Sequence, residues 1–425
     1  MASVLDRSAE DTRRTKYTNT RAEAKNKSRA DVAMVSREMD LGALANLKVL
    51  DFTHVFAGPF CTRMLADMGA DVVHVESHAR DTGDTYRGVY ANRNKRSVSL
   101  DLKNEAGHAI AAKLAKQADV IVENFSSTVM RRLKLDYESV ENENPGLVFI
   151  SLSGYGHTGP RSAWTSMNMN LQAYTGLMLT TGSEGDPPTS ISNSWNDYIG
   201  GLHGVIAIMQ ALNDRAVSGR GRHIDLSQFE SSVATIGALL MSSTATGLPP
   251  KRTGNRSSRY APQGVFPCTG VDEWCAVTVE TDAQWQALAT VLGQPSLGTD
   301  ARFATTVDRL RNQDVLDELI SAWTRDRSNV DVERLLHAAR IPAERMRRVE
   351  DVVRSPDSGA VYRAVPGGGD QPVLAATLPF RFSASEVQEV GVACQLGEHT
   401  SDVLHDWLSM DDATIAHLNE QRAFA

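Results

Sequence analysis

Cysteine is scarce. Cys61, Cys268, Cys275 and Cys394 are the four in 425 residues, and they form neither a C-x-x-C pair nor a cluster at metal-ligand spacing. Disulfide and zinc readings therefore lack support, and a reduced, cytoplasmic interior fits. Positive charge is also short: a net charge of −8 and a pI near 5.8 disfavour a nucleic-acid-binding surface, so any anionic ligand must be met by a local basic patch. No apolar run approaches the ~20 residues of a membrane span, and the N-terminus lacks the apolar core of a signal peptide. The expectation is a soluble cytoplasmic protein without a metal, a membrane or a nucleic-acid partner. What the chain does have is length, with 41% hydrophobic residues over 425, more than one core accommodates comfortably.

Residues 1–40 carry nine Lys/Arg, seven Asp/Glu and one aromatic, Tyr17, with little apolar periodicity, and read as a solvated extension. From Leu47 the pattern is regular. Strands are expected over 47–52, 71–76, 97–102, 119–123 and 147–152, with helices over 59–68, 105–117 and 127–133 between them. Such alternation predicts an α/β fold, a doubly wound, Rossmann-like parallel sheet with helices on both faces and ligands at the strand C-terminal ends. A strand over 223–226 follows, and Ser227-Gln228-Phe229-Glu230 has capping-box spacing, predicting a helix through Met241 whose apolar face is core. Pro249 to Arg256 breaks the periodicity and marks entry into a smaller mixed α+β domain. There a strand is expected at 274–279 and helices near 283–292, 314–325 and 331–339. Gly367-Gly368-Gly369 reads as a linker or hairpin, and 404–418 as helix.

Gly154-Tyr155-Gly156-His157-Thr158-Gly159 satisfies G-x-G-x-x-G after a strand, the dinucleotide fingerprint. The fingerprint belongs in the first βα unit and opens a helix, whereas here Pro160 and a polar stretch follow a late strand. A nicotinamide cofactor is therefore not expected. Either a Gly-rich loop approaching a ligand or a plain turn accounts for the glycines.

Asp197, in Asn193-Ser194-Trp195-Asn196-Asp197-Tyr198-Ile199-Gly200-Gly201, stands just before the apolar run 202–212, where a helix through about Ala216 is expected to begin. Unpaired N–H groups and the positive helix end there favour an ionised carboxylate and a developing oxyanion, which suits a nucleophile. An ordinary N-cap accounts for the same residue.

The segments Val49 to Cys61 and Leu65 to Val73 closely resemble the opening of class III CoA-transferases, the formyl-CoA transferase and carnitine CoA-transferase-like family. Asn94-Lys95-Arg96-Ser97, Leu100-Asp101-Leu102-Lys103, Val122-Glu123-Asn124-Phe125, Gly154-Tyr155-Gly156, Asp186-Pro187-Pro188, Gly219-Arg220-Gly221 and Leu396-Gly397-Glu398-His399-Thr400 continue the resemblance in the family's order. It covers roughly residues 45–425.

The resemblance implies that Asp197, eight residues after Pro188-Thr189, is the catalytic aspartate of an acyl-CoA:carboxylate CoA-transferase. Such an enzyme works through a mixed anhydride and an aspartyl-CoA thioester. It places Val55, Ala57, Leu100, Lys103, Asn124, Phe125 and Arg132 along the path of coenzyme A, with Lys103 and Arg132 toward phosphates. Phe56, Asn168 and Gly156 belong to the substrate pocket by the same argument. It implies acyl-CoA and a small carboxylic acid as partners. It also implies an interlocked dimer, as a homodimer or a heteromer with a related subunit, whose large domain is built from 45–250 and 350–425, the small domain from 251–349, and the extension from 1–44.

Departures narrow the substrate. Phe56 stands where formyl-CoA transferase has a glutamine, and Ser257-Ser258-Arg259 replaces its glycine run, which disfavours formate and oxalate and favours an apolar or aromatic acyl part. The racemase branch pairs its aspartate with a histidine about thirty residues earlier, where this chain has Met167. An acid/base pair across the α-carbon is thus incomplete. Trp195-Asn196-Asp197-Tyr198 leans toward members that act on succinyl-CoA and larger dicarboxylic acids, including the benzylsuccinate type. An acyl-CoA isomerase or racemase of the same family, and a CoA-binding subunit without activity, are the alternatives.

Overall fold

The computed structural model describes residues 42–77, 88–356, 358–366, 372–383, 385, 387 and 389–424. Nearly all of the expected 1–44 extension and the Gly367-Gly368-Gly369 linker lie outside them. The chain divides into two compact units: one holds residues up to Leu152, Gly201–Asp225 and Arg363 onward, the other Ser153–Gly200 and Leu226–Tyr362. These boundaries differ from the expected ones at 250 and 349. Segments 153–200 and 226–250 group with the middle of the chain, because they pack on one another through side chains that no strand pattern announces.

In the first unit the strands are β1 (Lys48–Asp51), β2 (Asp71–Glu76), β3 (Arg96–Ser99), β4 (Val120–Glu123), β5 (Val148–Ser153) and β6 (Arg222–Ser227), in the order β3-β2-β1-β4-β5-β6. The pairings β1 with β2, β1 with β4, β2 with β3 and β4 with β5 are parallel. Register aligns Phe149, Ile121, Leu50 and Val73 in one row across four strands, and all four side chains enter the same core. Helices Glu105–Gln117 and Thr400–Leu408 cover that row through Ile110, Leu114, Val403, Leu404 and Trp407. Helix Ala57–Asp67 is buried at every residue. Strands covered on both faces read as continuous apolar runs, which is why Val49-Leu50 and Val120-Ile121-Val122 lack alternation.

Buried ion pairs fix the ends of these strands. Asp51, fully buried at the C-terminal end of β1, accepts from Lys95 Nζ at 2.9 Å, from the Thr53 and Thr62 hydroxyls, each at 2.6 Å, and from the Thr53 N–H. Burial raises its pKa, but Lys95, His74 and the two threonines outweigh that and hold it below the ordinary carboxylate range. Neighbouring Asn94 donates to Asp67, Arg96 bridges Asp71 and Asp406, and the Ser97 hydroxyl accepts from Gly397 N. The Asn94-Lys95-Arg96-Ser97 run is thus one consecutive set of anchors, and it ties the Gly397–Thr400 return to β3.

In the second unit, strands β7 (Gln263–Pro267), β8 (Trp274–Thr278) and β9 (Ala343–Arg345) form an antiparallel sheet. Helices Asp282–Val291, Gln313–Arg325 and Asn329–Ala338 pack on it around Trp285, Phe303 and Ile320. Two expectations fail in detail. The helix after Ser227 stops at Thr235 and restarts as Gly237–Thr246, and its buried residues are Gln228, Ser231 and Ser232, while Leu239, Leu240 and Met241 are exposed. Its apolar side is therefore not core among the described residues. The expected 404–418 helix is two, Thr400–Leu408 and Asp412–Glu420, because Ser409 turns left-handed at φ 53°.

Replacing Lys95 with Met strands the Asp51 carboxylate in the core. The expected cost is about 3–5 kcal/mol in urea unfolding, with most of it recovered in the Asp51→Asn, Lys95→Met double variant.

Candidate active site

Asp197 sits on helix Trp195–Ser218, as its third residue rather than its cap. Two consecutive left-handed residues, Asn193 at φ 62° and Ser194 at φ 52°, turn the chain into that helix. The Ser194 carbonyl then accepts from the N–H groups of Asp197 (2.8 Å) and Tyr198 (3.3 Å), while Asn196 N donates to Asn168 Oδ1 at 3.3 Å. Three first-turn N–H groups are therefore occupied. The expectation that this helix start holds an oxyanion is not met at Asn196, Asp197 or Tyr198.

The Asp197 carboxylate is half-buried and accepts hydrogen bonds from the side chains of Ser194 and Gln228. Burial pushes its pKa up to about 6, and the two hydrogen bonds oppose that shift without cancelling it. The helix start alone argues for the opposite direction; loss of water is the larger effect. At pH 7 the group is still roughly nine-tenths ionised, and a carboxylate of raised basicity is the better nucleophile.

Gln228 reaches the carboxylate because Gly200 lets it. A Cβ on Gly200 meets Gln228 Cγ at 2.9 Å, and a Cβ on Gly201 meets Phe60 Cδ1 at 2.7 Å and the Ala57 carbonyl at 2.9 Å. The glycine pair thus admits close neighbours on two sides of one helix. Asn196 Nδ2 donates to Ser232 Oγ at 2.6 Å, which donates to the Gln228 carbonyl at 2.7 Å, fixing the glutamine's helix to the aspartate's. Sequence reading missed Gln228, Asn196 and Ser232 as site residues. The capping-box pattern at Ser227 marked the helix start that positions Gln228 but gave no signal for its partner.

Asn168 opens helix Asn168–Tyr174, where its carboxamide receives Asn196 N and Gln172 Nε2. Gly156 is buried at φ 81°. Gly154 lies against Ser166, too close for any Cβ, and its carbonyl accepts from Phe229 N. The next helix opens only at Asn168, so the glycine run folds back on its own unit rather than opening a dinucleotide-type helix.

In the first unit the strand order reverses at β1, with β2 on one side and β4 on the other, which makes the C-terminal ends of β1 and β4 the switch point where α/β sheets take ligands. Val55, Phe56, Ala57, Asn124 and Phe125 gather there. Asn124 Oδ1 accepts from His54 N at 2.9 Å and its Nδ2 donates to the His54 carbonyl at 2.7 Å, a two-bond clamp on the β1 loop. The loop needs a clamp, because Val55 holds φ 68°, a conformation that costs a β-branched residue on the order of 1–3 kcal/mol. Val55 is half-exposed, Ala57 is buried, and Phe56 stacks between Phe60 and Tyr90 at 6.1 and 5.9 Å. The Leu100 and Phe125 side chains belong to the core. Lys103 and Arg132 are exposed, Arg132 ending helix Val129–Arg132. Burial pushes the thiols of Cys61, Cys275 and Cys394 up to about 12, which removes them as thiolate nucleophiles.

The sequence matches CoA-transferase family III over residues 44–400. It is 34% identical to the acetyl-CoA:oxalate CoA-transferase of Acetobacter aceti over 339 residues, covering 77% of this chain and 87% of that one. It is 29% identical to the succinyl-CoA–D-citramalate CoA-transferase of Chloroflexus aurantiacus, covering 89% of this chain and 97% of the other. The fold matches the crystal structure of a CAIB/BAIF family protein from Brucella suis with a TM-score of 0.79 at 30% identity, over 89% of this chain and 100% of that one. The chain belongs to CoA-transferase family III. It is a transferase whose substrates are CoA thioesters.

Two outcomes follow from the buried carboxylate. Its folded pKa near 6 lies above the ordinary carboxylate value of 3.8, so its contribution to stability is fully present below about pH 3.8 and lost as pH rises through about 6. Asp197→Asn is accordingly expected to exceed the parent in stability at pH 8 by roughly 1–3 kcal/mol, and to lose that advantage near pH 4, in urea unfolding at the two pH values. Gly200→Ala displaces Gln228 and removes a hydrogen bond that favours the charged form. The acidic limb of the kcat/KM profile for CoA exchange is expected to move to higher pH.

Proposed function

We propose that the chain transfers CoA from an acyl-CoA to a dicarboxylic acid, with Asp197 as the acyl and CoA carrier. One observation carries this reading: a carboxylate half out of water, with its pKa raised to about 6, held by Ser194 and Gln228 at the start of a helix. An Asp197 oxygen attacks the thioester carbonyl, the C–S bond breaks, and a mixed anhydride and CoA thiolate result. The thiolate attacks the aspartyl carbonyl, releasing the first acid as its carboxylate and leaving an aspartyl-CoA thioester. The incoming acid attacks that thioester to give a second anhydride and thiolate. Return of the thiolate to the new acyl group yields the product acyl-CoA and restores Asp197. Charge is conserved at every step, so the cycle needs no net proton transfer, and a carboxylate that stays ionised at pH 7 suffices.

The dicarboxylic class is supported by the acids in the names of the two relatives, oxalate and D-citramalate. Phe56, stacked with Phe60 and Tyr90, favours an acid with more carbon than oxalate. We place CoA along Val55, Ala57, Asn124 and Phe125 at the switch point, with the backbone of Leu100 and the cations Lys103 and Arg132 toward its phosphates. Exposed Leu239, Leu240, Met241 and Leu248 support an assembly with a second copy or a related subunit, and the location proposed is the cytoplasm.

Asp197→Ala is expected to lose CoA transfer by at least about 10⁴-fold while still binding CoA. Hydroxylamine added after acyl-CoA is expected to leave a hydroxamate on Asp197, read by mass spectrometry of the digested protein. Unchanged turnover in the alanine variant overturns the proposal.

A further inference from the structure

Within the unit that carries Asp197, one arginine is held in a way the transfer cycle does not use. The Arg161 guanidinium lies 5.4 Å from the Trp164 ring centroid and 5.0 Å from that of Tyr174. Tyr155 meets both rings edge-on at 5.7 Å, and Phe229 packs on Tyr174 at 5.1 Å. Arg161 Nε is buried without a hydrogen-bond partner, and among the described residues no carboxylate lies within ion-pair distance of this side chain. An arginine packed against two aromatic rings, with no carboxylate partner among the described residues, keeps its terminal Nη pair for an outside oxyanion. The cluster opens outward, since Trp164 and Tyr174 are 55% and 40% exposed.

The position connects to the carboxylate by two routes. Phe229 follows Gln228, which bonds Asp197. Tyr174 ends the helix that Asn168 begins, and Asn168 receives Asn196 N. Asn168 and Tyr174 lie six residues apart on that helix, a rise of about 9 Å along its axis.

We propose that Arg161 is a specificity-determining residue that binds the far carboxylate of a dicarboxylic acid whose near carboxylate reacts at Asp197. The inference rests on the transferase reading above. The fork of the terminal Nη pair takes two carboxylate oxygens side by side. A monocarboxylic acid of equal length leaves the fork unpaired and loses that binding.

The full-length enzyme and the variants Arg161→Gln and Arg161→Lys are compared with glutarate and valerate as acceptors, and CoA affinity is measured by calorimetry. In Arg161→Gln the KM for glutarate is expected to rise roughly 10- to 100-fold, with the KM for valerate, the CoA affinity and hydroxamate trapping at Asp197 unchanged. Arg161→Lys, which keeps the charge without the fork, is expected to fall between. It also serves where the glutamine variant does not fold. An unchanged KM for glutarate overturns the inference. So does a matching loss of CoA affinity, which identifies a CoA phosphate as the oxyanion. Either result leaves the transferase reading standing if Asp197 still traps acyl groups in the parent, whereas absence of trapping there removes both.

Discussion

The proposed transfer depends on holding a carboxylate half out of water without neutralising it. Full burial of Asp197 leaves a protonated acid, and full exposure leaves a weak base near its ordinary pKa. The structure stops between the two. Burial raises the pKa to about 6, and two neutral donors, Ser194 and Gln228, limit the rise. Neutral donors suit the task better than a cation, because a Lys or Arg at that point lowers the pKa and ties up the oxygen lone pairs.

That compromise constrains the surrounding backbone. Gly200 exists to admit Gln228, Gly201 to admit Phe60 and the Ala57 carbonyl, and Asn196 and Ser232 to hold the two helices at the separation the hydrogen bond requires. The first unit solves a parallel problem at the sheet's switch point. There the strained Val55 turn persists because Asn124 clamps His54 from one side, while the Asp51–Lys95 pair holds Thr53 and Thr62 from below. In both places a costly local feature is stabilised by buried polar groups that hydrogen-bond to one another, so that buried polarity favours order over looseness.

Legibility in the sequence followed physical range. The first unit's strands and helices were readable to within a few residues because their signals are local: continuous apolar runs for two-sided burial, Asn104 capping Glu105–Gln117, Gly69 ending Ala57–Asp67. The expectation for Asp197 came from its neighbours and from the family's ordered blocks. Its environment was not. The raised pKa depends on how much water the fold removes, and Gln228 is thirty-one residues away with nothing in its own neighbourhood that names its partner. The helix after Ser227 shows the same limit. Capping chemistry located its start, whereas the break at Ile236 and the outward apolar side reflect surroundings that periodicity does not encode. The glycines of 154–159 were the opposite case, since a strong local motif was set aside on context alone, and the close contact of Gly154 with Ser166 supplies their packing reason.

The asymmetry among the charged groups carries one more step. Lys95, Arg93 and Arg309 are buried and matched to carboxylates, so they define the fold. Arg161 is the contrasting case, a half-buried guanidinium packed against two rings and lacking such a match among the described residues. Drawing a cation partly out of water without its counter-ion costs some stability in the free protein. A site that binds an anion there recovers it only when the anion arrives, so the cost appears as selectivity for the substrate that brings the missing charge. In a transferase whose reacting group is common to every carboxylic acid, discrimination has to come from the part of the acid that does not react, and an arginine with no carboxylate partner among the described residues is suited to read that part.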